Sequence, residues 1–223
     1  MRSAVMRFLG AIALGAGLLG FSQAQATTVD LFNSIAGSTP SNADVVETNG
    51  PLYASFSTGG GTAVLNELQF VLIASGATGS VDVSLFSSNE STSPYPTPLA
   101  LIAGLGTIPS ITTDGYHTYS LTGLSQSLAA NTRYWVELTA TDGGFAQWAY
   151  TENTAGIGVI GEYWQANYSS GPHPNAGDDA YFAFPYEMAV RANVPLPATL
   201  PMFAGGAGLL AALIWRRKKR ARA

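Results

Sequence analysis

Through most of its interior the chain alternates apolar and polar residues with a period of two. Val81, Val83 and Leu85 alternate with Ser80, Asp82 and Ser84. Tyr134, Val136 and Leu138 alternate with Trp135, Glu137 and Thr139. Successive side chains of an extended chain point to opposite sides, so this pattern predicts strands with one buried face. Further strands are predicted over 28–33, 52–57, 64–74, 116–121, 146–151 and 182–192. No apolar stripe of period 3.6 persists for a dozen residues. Asp142-Gly143-Gly144, between two strand patterns, predicts a hairpin, and Asp114-Gly115 a turn before another strand. Segments 87–98 (SSNESTSPYPTP) and 167–179 (NYSSGPHPNAGDD) predict loops rich in proline, serine and glycine. Many short strands punctuated by turns predict an all-β domain over 27–193: a single antiparallel β-sandwich, jelly-roll-like.

Two segments break the alternation, one at each end. Arg2 and Arg7 precede an uninterrupted apolar stretch at 8–21, and Ala24-Gln25-Ala26 follows it. That order predicts a signal peptide over 1–26, cut by signal peptidase between Ala26 and Thr27. At the other end, 196–215 holds 20 residues without a charge, enough to cross a hydrocarbon core as one helix at 1.5 Å per residue. Pro195, Pro197 and Pro201 sit at its outer end. A basic tail over 216–223 follows, with Arg216, Arg217, Lys218, Lys219 and Arg220, and marks the cytoplasmic side. The expected topology is an exported middle, one inner-membrane span and a short cytoplasmic tail.

The order of proline motif, apolar span and basic tail resembles a PEP-CTERM sorting signal over 194–223. The motif over 194–199 begins Val194-Pro195-Leu196-Pro197-Ala198, with Leu196 where the family's name places a glutamate. The resemblance implies processing by an exosortase, which would cut near 194–198 and turn a transient anchor into a surface or matrix destination. The middle resembles the choice-of-anchor R domain through 52–58 (LYASFST), 80–89 (SVDVSLFSSN), 128–141 (LAANTRYWVELTAT) and 161–164 (GEYW). That resemblance implies a β-rich extracellular domain carried by alternative C-terminal anchors, and brings no catalytic residues with it.

Composition narrows the chemistry. There is no cysteine, so disulfides, thiol nucleophiles and thiolate metal sites are excluded. All fourteen acidic residues fall in 27–193, against Arg133 and Arg191 and no lysine, giving this region a net charge of −12. Such a surface repels nucleic acid and anionic lipid, so neither is an expected partner. His117 and His173 are the only histidines, and G-x-S-x-G, H-E-x-x-H and phosphate-loop motifs are absent. No catalytic residue, metal or cofactor is expected, and the sequence predicts a non-enzyme. A glycoside hydrolase ranks last among the readings, because fourteen carboxylates make some suitably spaced pair inevitable.

Two binding readings stay open. Trp148, Tyr163, Trp164 and Tyr168 are candidate sugar-stacking rings, with Gln147, Glu162, Gln165 and Asn167 available for hydroxyls. The competing reading places these rings in the core, where aromatics supply much of the buried area. Asp142, Asp178 and Asp179 are candidate calcium ligands, against the plainer reading as turn residues. The expected function is that of an exported β-sandwich with a structural or interaction role in the envelope or exopolysaccharide layer. The alternative is a carbohydrate-binding module for exopolysaccharide.

Overall fold

Alternation and bulges together decide which side chains reach the interior. The computed structural model describes residues 26–36, 38–48, 50–74, 79–90, 97–141, 146–151, 165–167, 180–181 and 186–195. Among them are twelve strands: β1 (Ala26–Asn33), β2 (Asn42–Val46), β3 (Leu52–Ser57), β4 (Ala63–Ala74), β5 (Gly79–Asn89) and β6 (Thr97–Ile111). β7 (His117–Leu128), β8 (Arg133–Thr141), β9 (Ala146–Tyr150), β10 (Gln165–Asn167), β11 (Ala180–Tyr181) and β12 (Met188–Pro195) complete the set. One sheet runs β1-β12-β4-β9-β2, with β7 also paired to β4, and the other runs β11-β10-β3-β8-β5-β6. Every named pairing is antiparallel. The all-β, antiparallel, sandwich-like character expected from the pattern is what the described residues form.

Leu65, Leu68, Phe70, Leu72, Trp148, Met188 and Val190 from the first sheet meet Leu52, Phe56, Val81, Val83, Leu85, Val136 and Leu138 from the second in one buried cluster. A fully buried side chain of this size contributes about 1.5–3 kcal/mol. Two irregularities adjust the alternation. The β1–β12 register shifts between Asp30 and Phe32, so the neighbours Leu31 and Phe32 are both buried. The β4–β12 register shifts between Leu65 and Glu67, which pair with the neighbours Ala192 and Arg191. Residue 66 is the extra one, and the buried set steps from Leu65 to Leu68 before alternation resumes at Phe70 and Leu72.

The structure departs from the sequence reading in four places. Residues 142–145 join β8 to β9, which lie in different sheets, so Asp142-Gly143-Gly144 does not close a hairpin. β5 and β6, in contrast, pair directly with each other, and both strands extend into the segment expected to be one loop. β2, β6, β10 and β11 were not expected as strands. Finally, β8 is buried on both faces: Trp135 is 0% exposed although Tyr134, Val136 and Leu138 already face the core. Trp135 pairs in register with Ser55 and Phe86, and its indole N–H donates to Ser88 Oγ at 3.0 Å. Tyr53 and Phe86 meet edge to face at 5.8 Å, and the Tyr53 hydroxyl donates to the Glu137 carboxylate. The second sheet therefore has a buried aromatic layer on the face away from the main core.

Candidate functional site: a polar recess at the end of the second sheet

The recess forms where β3 and β5 end and β8 begins. It has a volume of about 430 Å³ and is lined by Ser57, Thr58, Ser87, Ser88, Glu90, Asn131, Thr132 and Arg133. No apolar side chain is among these eight. The β7–β8 turn is tied to the end of β3 by backbone bonds from Thr58 N to Thr132 O at 3.0 Å and from Asn131 N to Gly59 O at 2.9 Å. The Thr58 hydroxyl donates to Ala129 O at 2.6 Å and accepts from Thr132 N at 2.9 Å. Ala129 N in turn donates to the Tyr134 hydroxyl at 2.8 Å, so the turn is fixed from both sides.

Asn131 turns the corner with φ of 49°. Asparagine tolerates this left-handed conformation better than most residues. Its carboxamide is exposed and has no hydrogen-bond partner among the described residues, leaving two donors and an acceptor for solvent or ligand. Arg133 Nη1 meets Glu90 Oε2 at 3.1 Å; the arginine side chain is 9% exposed and the glutamate 59%. The recess thus holds a guanidinium fixed in its wall, a carboxylate at its mouth and a fringe of hydroxyls. On the β6 side, Ser87 Oγ accepts from Ala100 N at 3.2 Å.

The other sequence candidates are dispersed. Trp148, offered as a stacking ring, is 0% exposed. It stacks on Tyr186 at 4.5 Å, meets Phe70 edge to face at 5.6 Å, and donates its N–H to Glu187 O at 3.1 Å. No face of this ring is open to a sugar, because core packing takes both, and it is withdrawn as a binding candidate. Ala26 and Thr27 of the cleavage site open β1, and Val194 and Pro195 of the proline motif close β12. These are register partners, Ala26 with Pro195 and Thr27 with Val194. Ala24, Leu196, Pro197, Ala198, the basic tail, Tyr163, Trp164, Tyr168, Asp142, Asp178 and Asp179 lie outside the described residues.

Several other ionisable groups have structural partners. Arg191 bonds Asp30 at 3.1 Å and Glu67 at 3.1 Å, which raises its pKa further, Glu67 first. His117 Nε2 lies 2.9 Å from Asp114 Oδ1, with both side chains at least half exposed. Hydrogen bonds from Thr112 and His117 hold Asp114 below the ordinary carboxylate range. Tyr186 is buried, and desolvation followed by the Asp44 carboxylate, bonded at 2.7 Å, pushes its hydroxyl well above the usual range. Burial also raises Glu187, partly countered by the Ser38 hydroxyl at 3.0 Å. Among the described residues no three His, Asp or Glu side chains gather as a metal site would require.

The residues of the recess were not singled out from the sequence as a site. Arg133 carried the only available signal, as one of two cations in a region of fourteen acids. Asn131 reads in sequence as an ordinary turn residue before a strand, and nothing local connects it with Glu90, 41 positions earlier.

No family model and no curated protein matches the chain. Among solved structures it is similar to a chain of the "Structure of infectious bursal disease virus Gx strain", at 9% identity and a TM-score of 0.28. The alignment covers 83% of this chain and 43% of the viral one, so this chain spans under half of that chain's length.

Proposed function

We propose that this is an exported cell-surface or extracellular-matrix β-sandwich protein with a structural or interaction role in the envelope or exopolysaccharide layer. It is processed by signal peptidase and an exosortase and acts without catalysis. One observation carries the reading. The compact unit runs from Ala26 to Pro195, and those two residues are register partners. The limits of the fold fall at the two places where the sequence predicts processing, and both chain ends leave the sandwich at the same pole. A cut just after Pro195 therefore frees a domain whose core strands are all retained. The apolar segment at 196–215 serves as a transient inner-membrane anchor before that cut.

The finer expectations, a PEP-CTERM-type signal and a choice-of-anchor R domain, belong to this proposal and rest on the sequence motifs. The test is the mass of the mature protein recovered from its host. It should begin at Thr27 and end within 194–198 when the host's exosortase is present, and keep its full C-terminus when that enzyme is deleted. A second reading, carbohydrate binding, loses Trp148 and keeps Tyr163, Trp164 and Tyr168 as its candidate rings; the polar recess with its exposed Asn131 amide favours it.

A further inference from the structure

We propose that the flank formed by β6 and β7 is a self-association surface, on which a second copy of this chain docks by antiparallel pairing of β6 with its own counterpart. The proposal goes beyond the readings above and depends neither on carbohydrate binding nor on how the chain is processed.

Among the described strands both are edges: β6 pairs only with β5, and β7 only with β4. The two edges adjoin, since a Cβ at Gly106 of β6 would lie 3.6 Å from the Leu121 side chain of β7. An unpaired edge offers a row of N–H and C=O groups to any extended chain, and natural proteins usually guard it with charge. This flank has almost none. Residues 91–113 hold no charged side chain, and Asp114 is the sole acid in 91–132. The other edges are guarded: β1 carries Asp30, β2 carries Asp44, and Asp178 and Asp179 directly precede β11. The flank is also apolar. Six large hydrophobic side chains are exposed among the described residues, and four belong to it: Leu99 at 64%, Leu101 at 59%, Ile102 at 39% and Tyr116 at 41%. A Cβ added at Gly104 would meet nothing within 4 Å, so the middle of the strand is open to an approaching partner.

Charge selects the occupant. The region 27–193 carries −12, so two copies repel one another except across an uncharged face, and this flank is that face. A basic partner is drawn instead to the acids elsewhere. A two-fold contact sets the patch against itself, neutral on neutral and apolar on apolar. The strand itself limits the pairing. Pro98 and Pro109 lack N–H donors, and the register with β5 shifts four times, so a regular ladder is confined to a short run between the prolines. Once β6 is paired with its copy the edge is used up, which closes the assembly at two. The stretch from Leu99 to Ile108 is about 33 Å long at 3.3 Å per residue, beside sheets about 10 Å apart, and offers roughly 500 Å² per copy. That is near the lower limit of specific interfaces, so the expected dimer is weak and reversible.

The test uses the full-length chain. It has no cysteine, so a single introduced thiol reports the approach of two copies without background. Leu99→Cys, Leu101→Cys and Ala103→Cys are made on β6, and Val45→Cys on the β2 edge as a control. Each is oxidised mildly in host cells and the product is weighed. Paired antiparallel strands bring Cα atoms to about 4.5–5.5 Å, within reach of a disulfide. At least one β6 position should yield a species made of two copies of this chain, about fivefold or more above the control. Sedimentation of the otherwise native chain in detergent should show a monomer–dimer equilibrium. Leu101→Glu and Leu101→Lys, at an exposed position, should each weaken it about tenfold or more, by placing like charges across the contact. Val45→Glu should leave it unchanged, and melting curves check that each variant folds. The proposal is overturned if the chain stays monomeric up to about 100 μM. It is equally overturned if dimers survive both Leu101 substitutions, which would assign association to another surface such as 196–215. Cross-links from β6 to a different protein, in place of a second copy, also overturn it.

Discussion

Trp148 shows how far one residue's role depends on its neighbours. Its sequence setting, Gln147 to Tyr150 on a short strand, fits an exposed stacking ring and a core residue equally well. Tyr186, 38 positions later, decides the matter by stacking on it at 4.5 Å. Removing a fully buried indole between two rings leaves a cavity, so Trp148→Ala should destabilise the protein by about 3–5 kcal/mol in chemical denaturation. Beside it, Glu187 is 1% exposed and its pKa lies above the ordinary 4.5 because burial disfavours the charge. The folded state therefore holds this proton more tightly than the unfolded chain. The stability it contributes is fully present below about pH 4.5 and is lost as pH rises through the raised folded value. Glu187→Gln, which carries no charge and keeps an acceptor for Ser38, should melt higher than the parent at neutral pH. The gap should close as pH falls to about 4. An unchanged gap across that window would show that burial of Glu187 does not disfavour its charge.

At the scale of elements, strands with a buried face were legible and strands without one were not. β3 and β4 fall within a residue of the expected 52–57 and 64–74, because each presents a clean apolar row to the core. β6 escaped notice because most of it is exposed, with Leu99 at 64% and Leu101 at 59%, so burial imposes no alternation on it. Its register with β5 also shifts repeatedly, and Gly104 and Gly106 interrupt any pattern. β2 is five residues long and largely solvent-facing, with the same result. Turn chemistry marked where the chain bends and left open which strands it joins: Asp142-Gly143-Gly144 crosses between sheets. Gly106 carries a testable constraint. Its φ is 143°, and a Cβ there would come within 3.6 Å of Leu121. Gly106→Ala should cost about 1–2 kcal/mol in unfolding free energy, mainly from a backbone angle that alanine avoids. A neutral result would mean that β6 relaxes at this bulge.

For the molecule as a whole, the recess depends on long-range topology. Glu90, Asn131 and Arg133 meet because β5 and β8 are neighbours in the second sheet and the β7–β8 turn is tied to the end of β3. Strand prediction alone gives no register between them, so this site was not legible in the sequence. Topology also brings Ala26 beside Pro195, so the predicted signal-peptide cut and the proline motif flank one pole of the sandwich. The central claim is that the sandwich is a cargo delivered intact by trimming at both ends. Its most direct test is the intact mass of the protein isolated from host cells with and without their exosortase. The account predicts a species starting at Thr27 and ending within 194–198 in the first case only. A chain retaining the basic tail in both strains would contradict it, and would make the protein a permanently membrane-tethered β-domain.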